Sequence, residues 1–210
     1  MNNNAIILLI GLLFLTVGIF GKIIMNNAGL DFISFGILCV LTGFSGYNDT
    51  LLLQVLTGHP SLIRVITYVC LMFIPYPALS FFASATGNSR SWLVPASLVL
   101  CLGNFAAQVL LTYRGVSDYY YLVNISHALI MLSLAAIVAM MVRAIRRHTI
   151  QKELLSCLLA GLCALGIGVV LDIIRYYSLQ SYGSSSFTRL GVLVFTLLIA
   201  STCSGSRPAR

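Results

Sequence analysis

Asp172 and Arg175 stand three residues apart in GVVLDIIRYY (168–177), where a long apolar run closes. That spacing places both on one helix face, where a carboxylate and a guanidinium can pair. A charge pair against an apolar wall can hold a polar or ionic ligand. It can also be the end-stop of a helix that has reached water. Neighbouring apolar runs carry similar groups: Asn104 and Gln108 four apart, Asn124 and His127 three apart, and Thr188 with Arg189 at the start of the last run. Polar groups are costly in hydrocarbon and turn toward the bundle or toward water. Their placement predicts a shallow polar pocket, binding a ligand through Asn104, Gln108, Asn124, His127, Asp172, Arg175 and Arg189. The plainer alternative is that polar residues collect at helix ends, with Arg175, Tyr176 and Tyr177 as an interfacial anchor. Asp172 is expected to be ionised and paired with Arg175, Arg189 or both, because a buried carboxylate without a partner protonates or finds one.

Catalysis finds little support. GFSG (43–46) has the Gly-x-Ser-Gly form of intramembrane serine proteases, and His127 is the one histidine inside an apolar run. A nucleophilic Ser45 would need such a base, but Ser45 falls at the end of the second run rather than beneath a loop. No HExxH, P-loop or dinucleotide fingerprint occurs, and five carboxylates leave almost no candidates for an acid–base pair. The expectation is a protein that is not an enzyme, with no catalytic residue and no cofactor. Cys39, Cys70, Cys101, Cys157, Cys163 and Cys203 form no CxxC and read as small apolar side chains, so neither a metal site nor a disulfide is expected. His59 and His148 fall in connections.

The elements that hold these residues are membrane helices. Of 210 residues, 59% are hydrophobic and 8% charged, against about 25% charged in soluble domains. A span needs about 20 mostly apolar residues. Seven runs qualify, at about 5–25, 30–47, 62–84, 92–112, 120–142, 154–174 and 187–204. The second is rich in Gly and Ser, and LLLQVLT (51–57) either extends it or lies at the interface. The N-terminus lacks a basic n-region and its apolar run is too long for a signal peptide, so it is expected to be retained as the first span. The expected fold is an all-α bundle of seven transmembrane helices over 1–204, with a short tail at 205–210.

The net charge of +7 lies in the connections, which points to topology and contact with membrane lipid rather than nucleic acid. With the N-terminus outside, eight basic residues lie in the cytoplasm: Lys22, Arg90, Arg143, Arg146, Arg147, Lys152, Arg207 and Arg210. Four lie outside: Arg64, Arg114, Arg175 and Arg189. VRAIRRHTIQKE (142–153) decides most of this, and the C-terminus falls inside. Asn48 and Asn124 match the glycosylation pattern, which matters only in a eukaryotic cell. Pro75 and Pro77 in FIPYPALSF (74–82) each remove a backbone donor and predict a kink, with a hinge as its functional version. GLCALGIG (161–168) offers small residues for close helix approach.

The last hundred residues resemble bacterial seven-span sensor modules, the membrane segments of receptors with diverse intracellular signalling modules. The resemblance rests on GVSDYYYLVNISHALIML (115–132), VVLDIIRYY (169–177) and SFTRLGVLVFTLLIA (186–200), with a looser fit in LMFIPYPALSFF (71–82) and NFAAQVLL (104–111). It places Asp118, His127, Asp172, Arg175, Arg189, Gly191 and Phe195 at the pattern's recurring positions. It implies sensing at or outside the inner membrane and transmission to a cytoplasmic or fused output domain such as a diguanylate cyclase. These residues contain no GGDEF motif or kinase core, so the expectation is a fragment or a module that acts through a partner. The alternatives are a small-solute transporter or transporter subunit, whose polar residues belong near the midplane, and a structural subunit of a larger complex. Oligomeric state and ligand are not legible.

Overall fold

The computed structural model of the chain describes residues 3–25, 31–46, 58–89, 91–116, 119–148, 150, 152–179 and 186–205. Every element among them is a helix: α1 (Asn3–Met25), α2 (Phe32–Ser45), α3 (Pro60–Phe73), α4 (Pro75–Ala85), α5 (Leu93–Tyr113), α6 (Tyr119–Arg147), α7 (Lys152–Leu179) and α8 (Ser186–Gly205). All seven apolar runs are helical, and α3 and α4 together form the third. Five stretches are long and apolar enough to cross a membrane: Asn4–Ile23, Ser61–Ala85, Leu93–Tyr113, Tyr121–Arg147 and Lys152–Ser178. Phe32–Ser45 and Ser186–Ser201 are shorter apolar helices. LLLQVLT (51–57), Asn48 and Asp118 lie outside the described residues.

Two boundaries differ from the hydropathy reading. α6 runs on to Arg147, so VRAIRR is helix rather than connection. Arginine is a good helix former, and Arg146 and Arg147 complement the negative end of the helix dipole in its last turn. His148 then ends the helix in the left-handed region, at φ 50°. α7 correspondingly begins at Lys152, with Glu153 in its first turn.

Each run packs beside its sequence neighbours, and α8 returns to contact α1, so the chain closes a ring in its own order. α4 lies inside the ring. It touches α2, α5 and α6, and no large apolar side chain on it is exposed. The core is aromatic: Phe35 of α2, Phe81 and Phe82 of α4, and Phe195 of α8 are fully buried. Phe35 meets Phe195 edge-on at 5.5 Å, and Phe82 stacks on Phe195 at 5.6 Å.

Glycines set the closest approaches. In α1 and α2, Gly11 faces Gly36: a Cβ on Gly36 would fall 2.8 Å from the Gly11 carbonyl oxygen and 2.7 Å from the Leu15 nitrogen. In α7, a Cβ on Gly168 would fall 2.4 Å from the Phe187 carbonyl oxygen, and one on Gly161 would overlap the Phe195 ring. Gly161 and Gly168 are seven apart and share a face, so the GLCALGIG segment presses α7 backbone to α8. Outside, the pattern reverses. Ile23 is 73% exposed and Leu197 70%. In water such a surface aggregates; in hydrocarbon it is solvated. The chain has the build of an all-helical integral membrane protein.

Pro75 and Pro77 are both buried, at the start of α4. The helical ladder is interrupted at Ile74, although its backbone keeps helical angles (φ −52°, ψ −40°). The physical cause is the pair of missing N–H donors, which leaves the carbonyls four residues back without their usual partners. The third run is thus helical on both sides of Ile74, with a gap in its backbone hydrogen bonds at the prolines.

Candidate functional site

The polar side chains singled out by spacing lie together at one end of the bundle, as their contacts require. They form four contacts, each joining two or more elements. The first lies between α5 and α6. Asn104 and Gln108 are buried on one face of α5. The Asn104 Nδ2 donates to Ser126 Oγ at 3.1 Å, and Gln108 Nε2 lies 2.8 Å from Asn104 Oδ1, 3.0 Å from Ser126 Oγ and 3.2 Å from the Leu122 carbonyl oxygen. Two protons thus serve three acceptors, while the buried Gln108 Oε1 has no partner among the described residues.

The second contact joins α6 to α7. The Tyr177 hydroxyl donates to Asn124 Oδ1 at 2.9 Å. His127, one turn further along α6, sits edge-on to Tyr176 at 5.1 Å and to Tyr177 at 6.0 Å. Its buried Nδ1 has no hydrogen-bond partner among the described residues.

The third contact joins α7 to α8 and corrects an expectation. Asp172 is bonded to backbone amides rather than to an arginine. Its Oδ2 accepts from the Thr188 N–H at 2.7 Å and its Oδ1 from the Phe187 N–H at 3.2 Å. These are the third and second residues of α8, whose first amides have no partner within the helix. Asp172 therefore caps a neighbouring helix from the side, with its negative charge at the positive end of the α8 dipole. Gly168 makes this possible. It lies one turn before Asp172 on the same face, and its missing side chain lets the start of α8 come within reach. Arg175 is partly buried on α7, beyond the cap.

The fourth contact closes the ring. Arg189 is buried, and its Nη1 donates to Asn4 Oδ1 at 2.6 Å. Asn4 in turn donates through Nδ2 to the Gly46 carbonyl oxygen at 2.8 Å, at the end of α2. Three elements, α8, α1 and α2, meet at one amide. A side chain at Gly46 would collide with both partners, with a Cβ 2.8 Å from Asn4 Oδ1 and 3.2 Å from Arg189 Cδ.

In the first and fourth contacts, reading by spacing found one side and missed the other. Asn4 stands in the polar opening MNNN, Ser126 inside the NIS triplet, and Gly46 at the end of GFSG. Only the packing order of the helices shows that they meet. In GFSG the Ser45 hydroxyl donates to the Thr42 carbonyl of its own helix at 2.9 Å. At the opposite end, Asp31 caps α2 through the Ser34 N–H at 3.2 Å and accepts from the Ser34 hydroxyl and from Ser80 of α4 at 3.3 Å. Among the described residues no group of three or more His, Cys, Asp or Glu is placed to hold a metal.

Comparison with family models, with curated proteins and with solved structures finds no match to this chain.

Proposed function

We propose that the chain is a sensory membrane module of the bacterial inner membrane, with seven spans, its N-terminus outside and its C-terminus inside. It takes a stimulus at the polar end of the bundle and passes it inward to a fused or separate output domain such as a diguanylate cyclase. The supporting observation is where charge lies. Every described charged residue sits within two turns of a helix end or in a connection, and four interhelical polar contacts gather at one end, with the Asp31–Ser34–Ser80 contact at the other. Transport of a polar solute would call for polar groups near the midplane, often beside a broken helix. Here the interior beneath the polar end is the phenylalanine cluster, a rigid packing that suits relaying small helix shifts rather than passing a solute. Gln108 Oε1, Thr112 Oγ1 and His127 Nδ1 are buried polar atoms of this end that have no partner among the described residues and that a ligand can address.

The test is a fusion of a diguanylate cyclase domain after Arg210, with cyclic di-GMP measured in cells. Asn4→Ala and Gln108→Leu, at unchanged membrane level, are expected to shift the output several-fold. Output indifferent to both, together with solute uptake by the purified chain in vesicles, would replace the sensory reading with a transporter.

A further inference from the structure

We infer that the cavity between α4, α5 and α6 is a binding site for an acyl chain of a membrane phospholipid, entered sideways from the bilayer beside Trp92. The inference requires the membrane placement of the bundle, not the sensory role. The cavity has a volume of about 220 Å³, larger than the cavity of about 150 Å³ that stays dry and accepts benzene in a soluble protein. Its back wall is Pro75 and Leu79 of the buried α4. Its sides are formed by small residues, Ala96 and Ser97 on α5 and Ser133 and Ala136 on α6. The space is thus built by the facing choice of Ala and Ser on two helices.

Its mostly apolar lining disfavours water and polar ligands. The two wall hydroxyls already donate within their own helices: Ser97 Oγ to the Val94 carbonyl and Ser133 Oγ to the Ile130 carbonyl, each at 2.7 Å. A buried water needs about 2–4 polar partners, and these two hydroxyls offer it no free proton. The mouth opens on the apolar outer surface. Leu132 is 58% exposed and Trp92 74% exposed, and both line the cavity. Trp92 immediately precedes α5, at a helix end, where an amphipathic indole suits the headgroup level. A lipid lying there has its polar head beside Trp92 and its tail level with Leu100 and Leu132. The medium that meets the opening is therefore hydrocarbon, and a flexible chain is the shape that fits a narrow apolar slot between helices.

Trp92 is the only tryptophan in the chain, so it reports on its own site. The full chain is reconstituted in phosphatidylcholine vesicles containing increasing fractions of phosphatidylcholine brominated on its acyl chains, and Trp92 fluorescence is measured. Two variants fill the cavity, Ala96→Phe and the milder Ala136→Leu, and Leu110→Phe alters the lipid-facing surface elsewhere. At equal bromolipid fraction the native chain and Leu110→Phe are expected to be quenched about twofold more than either filled variant that retains native helicity. Equal quenching in all chains would mean that Trp92 meets only surrounding lipid, and would overturn the site. Loss of the extra quenching when a small amount of unbrominated free fatty acid is added would also overturn the assignment to phospholipid, since the occupant would then be a free single chain.

Discussion

Asp172 illustrates how a residue can keep its importance and change its role. Spacing alone offers it an arginine on its own helix; the packed bundle offers it two amides of the next. A carboxylate that accepts backbone N–H groups at a helix start contributes about 0.5–2 kcal/mol. Asp172→Ala should therefore lower the melting temperature in detergent by a few degrees, at roughly 2–4 °C per kcal/mol for a chain of this size. Asp172→Asn, which keeps one acceptor oxygen, should lose less. The cap also predicts independence from Arg175. A double-mutant cycle of Asp172→Asn with Arg175→Gln is expected to give a coupling below about 0.5 kcal/mol. A coupling several times larger would restore the ion pair and remove the cap as the main role of Asp172.

Helices in this bundle meet through what they lack. Without a hydrophobic drive between apolar surfaces in lipid, association depends on close packing and a few hydrogen bonds. Gly168 and Gly36 sit where backbone meets backbone, and Gly103 has open space around the position of a Cβ. Gly168→Ala and Gly36→Ala are each expected to destabilise by about 1–3 kcal/mol, as overpacking does. Gly103→Ala should instead be neutral or stabilising by up to about 1 kcal/mol, since alanine is the better helix former. Thermal unfolding of the three variants side by side separates the two effects. The prolines belong to the same scale. Pro75→Ala with Pro77→Ala restores two donors, and hydrogen exchange of the amides at 75 and 77 is expected to be slow if the ladder then closes through Ile74. The helices themselves were legible in the sequence because each is an apolar run, although Phe32–Ser45 and Ser186–Ser201 are shorter than the other five. Their ends were less so: Arg143, Arg146 and Arg147 read as connection by charge, but arginine continues a helix readily. The partners Asn4, Ser126 and Gly46 were not legible, because each owes its role to a helix elsewhere in the chain.

On the scale of the molecule, the distribution of Lys and Arg predicts the orientation. Cysteines at Arg147 and Arg114, both exposed, can be placed in a cysteine-free background and challenged in intact cells with a membrane-impermeant thiol reagent. Labelling is expected at position 114 and not at 147. The reverse would turn the polar end toward the cytoplasm, and the proposed stimulus would then come from inside the cell.

The ring has a consequence for how the protein is made. Its helices come off the ribosome in the order in which they sit, so each new one can dock on its predecessor while the next is still being synthesised. The bond between Arg189 and Asn4 spans 185 positions and, like the packing of Phe195 on Phe35 and Phe82, has to wait for α8. Until α8 emerges the bundle is an open horseshoe, with α1 and α2 holding one free edge and α7 the other. Asn4 has to wait through the synthesis of every helix that follows it before its partner arrives. A chain that stalls before position 189 would expose that seam to the lipid, to chaperones or to a second unfinished copy.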